Sequence, residues 1–430
     1  MSFFKLQENN TNVKTEVLAG ITTFMTMAYI IFVNPTILSD TGMPWGAVFT
    51  ATCISAAFAS FLMGFLANYP FALAPGMGLN AFFTYTVVIK MGLSWEAALA
   101  AVFISGIIFI LLTITKAREA IINSIPMSLK LAVSAGIGLF IALIGFQNAG
   151  IIIGDPATLV SLGSFSEPGV ILAALGVLVT GILVVRKVKG ALLIGIAVTT
   201  VLGIPFGVTN IQEFGIFSMP PSMAATFGAF TIGFKEVLTF GLIPIIFTFT
   251  FVDLFDTIGT LIGVSSKAGM LDKEGKLPRA DKALVADSVG TVFGAIMGTS
   301  TVTTYVESAS GVAEGGRTGL TAIVAGFLFL IALFFSPLIG LVPAEATAPI
   351  LIIVGIFMIE PVMKINFSDY LEAIPAFLAI VMMPFAYSIA EGIVFGVLAY
   401  TFLHLLAGKA KNISVTMWIL AILFVIRFFV

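Results

Sequence analysis

Gly298–Gly316, GTSTVTTYVESASGVAEGG, decides how the rest of the chain reads. It is rich in Ser, Thr and Gly, carries Glu307 and Glu314, and lies between apolar blocks long enough to cross a bilayer. In hydrocarbon every backbone N–H and C=O needs a partner inside the protein. Irregular polar backbone at that depth is therefore buried in protein or lines a cavity. Inserting a carboxylate there costs at least ~2.5–3.5 kcal/mol. The stretch is thus the first candidate for a ligand site.

The surrounding chain supplies the membrane context. Of its 430 residues, 59% are hydrophobic and 10% charged, and mean hydropathy is +1.14. Soluble domains are about 25% charged, so the composition predicts an integral membrane protein. The apolar blocks are long and do not alternate, which predicts helices and not barrel strands. Net charge is −2, which gives no nucleic-acid signal. The single cysteine, Cys53, excludes an internal disulfide and any cysteine-based metal cluster. The single histidine, His404, argues against a multi-histidine metal site, and no metal or other cofactor is expected. The polar start, MSFFKLQENNTNVKTE, does not suggest a cleavable signal peptide.

Runs without charge mark the crossings. In the first half they are Val17–Ser39, two within Thr41–Ile89 separated by the Asn68-Tyr69-Pro70 turn, Ala97–Thr115, Leu131–Gly154, Pro168–Val185 and Gly190–Phe206. A connection, 207–236, is expected outside the cytoplasm and partly in the interface. The second half is expected to cross at about Val237–Ile262, Ala283–Met297, the opening polar stretch, Thr318–Phe335, Ala346–Met363, Leu371–Ser388 and Ile393–Leu406. The segment 413–430 either crosses or lies in the interface. Loops expected on the amino-terminal side carry Lys116, Arg118, Arg186, Lys187, Lys189 and the cluster Lys267–Lys282. By the positive-inside rule this side, with the amino terminus, is cytoplasmic. Seven crossings per half make two inverted repeats, 1–206 and 237–412. Two Gly- or Pro-interrupted segments in corresponding places point to a transporter site. Here they are Ala72–Phe83, ALAPGMGLNAFF, and the opening stretch.

Glu307 leads the candidate residues. Its neighbours Thr303, Thr304 and Tyr305 are polar, and Gly311 permits a helix break. An ionised carboxylate accepts at both oxygens, which suits a planar ligand offering N–H groups. Asp253 and Asp256, in FTFTFVDLFDTIGT, share roughly one helix face. Two close carboxylates in apolar surroundings are suited to loading and releasing a proton. Asn80, with Gly76 and Gly78, sits in the first-half counterpart, and Thr26 and Tyr29 can face the same cavity. Glu314 reads as a local ion pair or a solvated end. Glu360 and Glu391 read as helix ends, and His404 as an interfacial residue. No Walker A motif is present, so active transport would use an ion gradient.

At TTFMTMAYIIFVNP, ALAPGMGLNAFF, FVDLFDTIGTLIGV and ADSVGTVFGAIMGTSTVTTYVESASGVAEGGRTGLTA the chain resembles the nucleobase–cation symporter-2, or nucleobase–ascorbate, transporters. It is most similar to their AzgA-like adenine/guanine/hypoxanthine permease branch. The resemblance implies an all-α polytopic membrane protein of 14 transmembrane helices in two inverted 7-helix repeats. Helices 3 and 10 would be half-unwound and meet at short antiparallel strands. A core domain (15–118 and 237–336) would move, elevator-like, against a gate domain (130–206 and 346–408). FDTIGT places Asp256 at the family's helix-eight acidic position, with Asp in place of Glu. Tyr305-Val306-Glu307-Ser308 matches a Y-G-E-N-like motif on helix ten, with Val for Gly and Ser for Asn. The implied substrate site is Glu307, Asp256, Asn80, Gly78, Thr26, Tyr305 and Ser308, with Asp253 or Asp256 coupling a proton rather than sodium. A homodimer in the plasma (inner) membrane is implied as well. The expected activity is proton-coupled uptake of adenine, guanine or hypoxanthine, with no catalytic residues. The alternatives are a uracil/xanthine-type symporter or an anion exchanger or channel of the same architecture.

Overall fold

The computed structural model describes residues 3–115, 125–211, 215–239, 243–267, 269–271 and 277–427. Side chains at 238, 239, 243, 244, 255, 256, 258, 259, 262, 263, 266, 267 and 427 lie outside that description. Lys116, Arg118 and part of the Lys267–Lys282 cluster fall outside the described residues.

The first half contains α1 (Val13–Met27), α2 (Ile30–Ser39), α3 (Trp45–Leu62), β1 (Leu73–Pro75), α4 (Met77–Ala81), α5 (Trp95–Ile114) and α6 (Met127–Asn148). A hairpin of β2 (Ile152–Asp155) and β3 (Leu159–Leu162) follows, then α7 (Pro168–Val185) and α8 (Ala191–Gly203). The second half has α9 (Phe230–Thr239), α10 (Ile243–Lys267), α11 (Ala280–Met297), β4 (Val302–Thr304), α12 (Ser308–Ala313) and α13 (Gly319–Ala332). It ends with α14 (Ser336–Gly340), α15 (Ala344–Ile359), α16 (Tyr370–Phe385), α17 (Ile389–Leu406) and α18 (Val415–Arg427). Eight of the described helical spans are long and apolar enough to cross a bilayer, which defines a polytopic helical membrane protein.

The described helices follow the expected crossings in order, with two differences. The eighth begins later, as α10, and a separate helix, α9, occupies the end of the connection. The polar loop after α6 folds into the β2–β3 hairpin with register Ile152↔Leu162 to Asp155↔Leu159. In its turn Asp155 accepts from the Thr158 and Ala157 amides, which holds its exposed carboxyl below the usual carboxylate range. In the carboxy-terminal segment, the 13 residues of α18 reach about 20 Å, against a ~30 Å hydrocarbon core. The Asn68 turn is as expected, with Asn68 in the left-handed region (φ 52) that its short polar side chain tolerates.

Contacts divide the chain into two compact units, Met1–Leu111 with Phe146–Ile350, and Leu112–Gly145 with Leu351–Val430. Small residues allow close helix packing inside each. In the smaller unit a Cβ at Gly138 would lie 2.7 Å from the Gly355 carbonyl oxygen. In the larger one a Cβ at Gly319 would lie 2.1 Å from the Gly64 carbonyl oxygen.

The larger unit also buries a carboxylate as a staple. Glu16 on α1 accepts from the Arg317 amide (2.9 Å), the Thr318 amide (3.3 Å) and the Thr321 hydroxyl (2.6 Å). These amides open α13, where helix N–H groups have no intrahelical partner. Glu16→Ala strands two buried amides and should cost about 1–3 kcal/mol. The measurement is thermal unfolding in detergent, where the variant should melt several degrees lower; an unchanged midpoint would contradict the staple.

Candidate functional site

The site is built on the meeting of the two interrupted segments, both within the larger unit. β1 and β4 pair antiparallel with Leu73↔Thr304, Ala74↔Thr303 and Pro75↔Val302. Beyond the strands the ladder continues through Gly76 N to Thr301 O (2.9 Å) and Tyr305 N to Ala72 O (3.1 Å). A two-stranded ladder has two outer edges, and in a membrane these also need partners. Side chains supply them. The Ser60 hydroxyl accepts from Leu73 N (3.0 Å) and donates to Leu73 O (3.2 Å). On the far edge Thr291 donates to Val302 O (2.8 Å), and Asp287 accepts from Thr304 N (3.2 Å). Ser308 Oγ accepts from Ala72 N (3.0 Å). Ser, Thr and Asp side chains from α3, α11 and the opening stretch are thus what lets irregular backbone persist at this depth.

Glu307 immediately precedes α12, behind β4 and Tyr305. Tyr29, at the break between α1 and α2, donates its phenol to Glu307 Oε1 at 2.7 Å. Among the described residues no other side chain donates to this carboxylate. Thr26 donates to the Thr22 and Thr23 carbonyls (3.0 and 2.9 Å), and lies 3.5 Å from the Glu307 carbonyl. Tyr305 donates its hydroxyl to Pro75 O, and its ring centroid lies 6.4 Å from that of Tyr29. Tyr305 and Ser308 therefore tie the two interrupted segments together through β1. The Asn80 Oδ1 accepts from Ser300, and Asn80 and Gly78 are both fully buried on α4.

Asp253 lies on α10, buried, with its Oδ1 3.5 Å from the Thr257 hydroxyl. Thr257 also meets Asp287 Oδ2 (2.9 Å) and the Thr303 hydroxyl (2.8 Å). Asp256 shares α10, but its side chain lies outside the described residues. Asp253 thus joins, through Thr257, a polar chain that ends on β4.

Two buried carboxylates do not stand out in the sequence reading. Asp287 is fully buried and holds both Thr257 and β4. Its signal is present in ADSVGTVF, an acid inside a run otherwise free of charge. Glu16 sits among polar residues at the amino terminus and carries no such signal. Glu314 forms an ion pair, with Lys189 at 2.7 Å. Glu360 and Glu391 lie at helix ends. His404, near the end of α17, is buried in the protein: Nδ1 lies 3.0 Å from Tyr400 O, and the two rings stack at 3.9 Å.

A carboxylate beside a break in two discontinuous membrane segments, with more acids behind it, is the arrangement of a membrane carrier for small polar solutes. Comparison with known proteins gives the family. Residues 14–423 match the Permease family, of the xanthine–uracil permease type. Similar proteins include the Adenine permease AdeP of Escherichia coli K12, 47% identical over 99% of this chain and 94% of its own length. The Guanine/hypoxanthine permease PbuG of Bacillus subtilis 168 is 48% identical, covering 99% of each. The Nucleobase transporter PlAzg2 of Paenibacillus larvae is 37% identical over 90% of this chain and 76% of its own. In fold, the transmembrane domain of the cyanobacterial bicarbonate transporter BicA superposes with a TM-score of 0.68 at 15% identity, over 90% of this chain and 97% of that one. The chain belongs to the nucleobase–ascorbate transporter family, in its AzgA-like branch, and is a permease and not an enzyme.

Proposed function

We propose that the chain imports purine nucleobases (adenine, guanine or hypoxanthine) across the plasma membrane, coupled to a proton, with its amino terminus cytoplasmic. The observation that carries this reading is Glu307, presented by the crossing segments with Tyr29 on one oxygen. A carboxylate in that position accepts ring and exocyclic N–H groups, which purines offer along one edge. Named relatives that handle adenine, and guanine or hypoxanthine, support the substrate class. In this reading Asp256 is the second carboxylate toward the base, on the strength of its motif, and Asn80, Gly78, Thr26, Tyr305 and Ser308 complete the substrate site. Asp253 or Asp256 carries the proton, since clustered buried acids favour one being protonated. Transport follows from movement of the core, 15–118 and 237–336, against the gate, 130–206 and 346–408, in a homodimer.

The anion-carrier reading is weaker, because a site with the carboxylates Glu307, Asp253 and Asp256 and no nearby basic residue repels an anion. The deciding experiment is uptake of radiolabelled adenine, guanine and hypoxanthine in a purine-transport-null bacterium, with and without a protonophore. Accumulation of at least one base, lost with the protonophore, is the expected result. All three at background would end the purine reading; uptake indifferent to the protonophore would end proton coupling.

A further inference from the structure

Behind the crossing of the interrupted segments lies a cluster of uncharged polar side chains that the transport reading does not use in full. Asn34 on α2, Thr52 on α3, Asn80 on α4, and Thr299, Ser300 and Thr301 ahead of β4 are all completely buried. They are linked. Asn34 Nδ2 reaches Thr52 Oγ1 at 2.7 Å and Thr299 Oγ1 at 2.9 Å. Ser300 bonds Asn80, and the Thr301 carbonyl accepts from Gly76 N at 2.9 Å. The amide of Asn34 has only one sensible orientation. Thr52 already spends its proton on Val48 O (2.6 Å), so it can only accept, and the nitrogen of Asn34 must face it.

That leaves three fully buried side-chain atoms in this cluster with no protein partner: Asn34 Oδ1, Asn80 Nδ2 and Thr301 Oγ1. Turning the Asn80 amide over does not remove the shortfall. It would satisfy Ser300 with the nitrogen and leave the oxygen unpaired instead. Buried polar groups are nearly always hydrogen-bonded, and three orphans on adjoining segments call for a ligand.

The chemistry of the three atoms narrows that ligand. Asn34 Oδ1 accepts, the Asn80 amide offers a donor or, turned over, an acceptor, and the hydroxyl does either. No formal charge belongs to the cluster, which suits a neutral ligand that both donates and accepts. We infer that this cluster is a built-in water site, in which one or two ordered waters join α2 to both interrupted segments by bridging Asn34 Oδ1, Asn80 Nδ2 and Thr301 Oγ1. Water satisfies such mixed sets with about three hydrogen bonds each, and sites of this kind form part of the structure. The bridge gives the crossing a polar floor independent of what the permease carries.

The test uses the full-length protein in lipid nanodiscs. A density map fine enough to show ordered water should place a peak within about 2.7–3.2 Å of Asn34 Oδ1 and Thr301 Oγ1. Thr301→Val should then remove a hydrogen bond to that water and lower the melting temperature by about 2–4 °C. Thr401→Val removes a buried hydroxyl that also has no partner but stands outside this cluster, and should leave the midpoint unchanged or raised. A wild-type map with no peak overturns the proposal. So does a Thr301→Val protein that melts at the same temperature as wild type or above it, because removing a dry, unpaired hydroxyl relieves a buried polar group.

Discussion

Glu307→Gln is expected to reduce purine uptake on the order of 10- to 100-fold while leaving the protein in the membrane at its normal level. The reasoning is local. The glutamine keeps the size of the side chain and can still accept from the Tyr29 phenol through its oxygen, so the link between the α1–α2 break and α12 survives. What changes is the other position, where an acceptor becomes an NH₂ donor that faces the N–H edge of a base. A hydrogen bond to a charged group contributes about 1.5–3 kcal/mol, and an unmatched donor pair adds repulsion. At about 1.4 kcal/mol per tenfold, loss of one such bond already gives the lower end of the range. Initial-rate uptake at subsaturating base, normalised to membrane abundance on a blot, reads the effect. Uptake within twofold of wild type would remove Glu307 from the site. Tyr29→Phe offers a graded companion, since it removes one neutral donor and should cost only several-fold.

The second large effect is expected at Gly311. This glycine lies in α12, one turn beyond Glu307, where α12 packs on α1. A Cβ there would sit 2.0 Å from Thr23 Oγ1 and 2.7 Å from the Ala19 carbonyl oxygen. The first of these atoms belongs to a side chain that can turn away. The second is backbone of a packed helix and cannot move without shifting α1. Gly311→Ala should therefore push α12 off α1, destabilise the protein by about 1–3 kcal/mol and draw Glu307 away from Tyr29. Both melting temperature and uptake should fall together. Thr23→Ala removes the nearer obstacle, and its hydroxyl has no partner to lose. In the double variant the stability loss should be partly recovered, because only the Ala19 contact remains. A Gly311→Ala protein with native melting temperature and native uptake would mean that the α1–α12 contact is looser than the distances require.

Much of this protein was legible without coordinates. The membrane class follows from composition, because a chain this apolar has no other stable solvent. The interrupted segments are visible as Gly, Pro and Ser where a helix should continue, and lipid tolerates such backbone only when it is enclosed. Glu307 stands out for the same reason, since a charge in that setting persists only with a purpose. Tyr29 was expected to face the same cavity as Glu307, and its phenol donates to that carboxylate. Other features were hidden because they depend on contacts between residues far apart in the chain. The resemblance implied short antiparallel strands where the interrupted segments meet, but not their register: the pairing of Leu73 with Thr304 spans the two halves of the sequence, and a three-residue strand has too little pattern to set it. Asp287 reads as one acid in a helix until its bonds to Thr257 and Thr304 are seen. Glu16 reads as a solvated amino-terminal residue until α13 closes over it.

By itself the sequence determined the solvent, the helical class, the two places where helices break and the leading carboxylate, because each depends on the cost of polar groups in hydrocarbon, which residue type alone sets. Only the tertiary structure decided the partners: which hydroxyl meets Glu307, which side chains seal the strand edges, which acid anchors β4, and which buried atoms are left for water. Those outcomes rest on distances of a few tenths of an ångström between segments brought together by packing, and no local pattern encodes them.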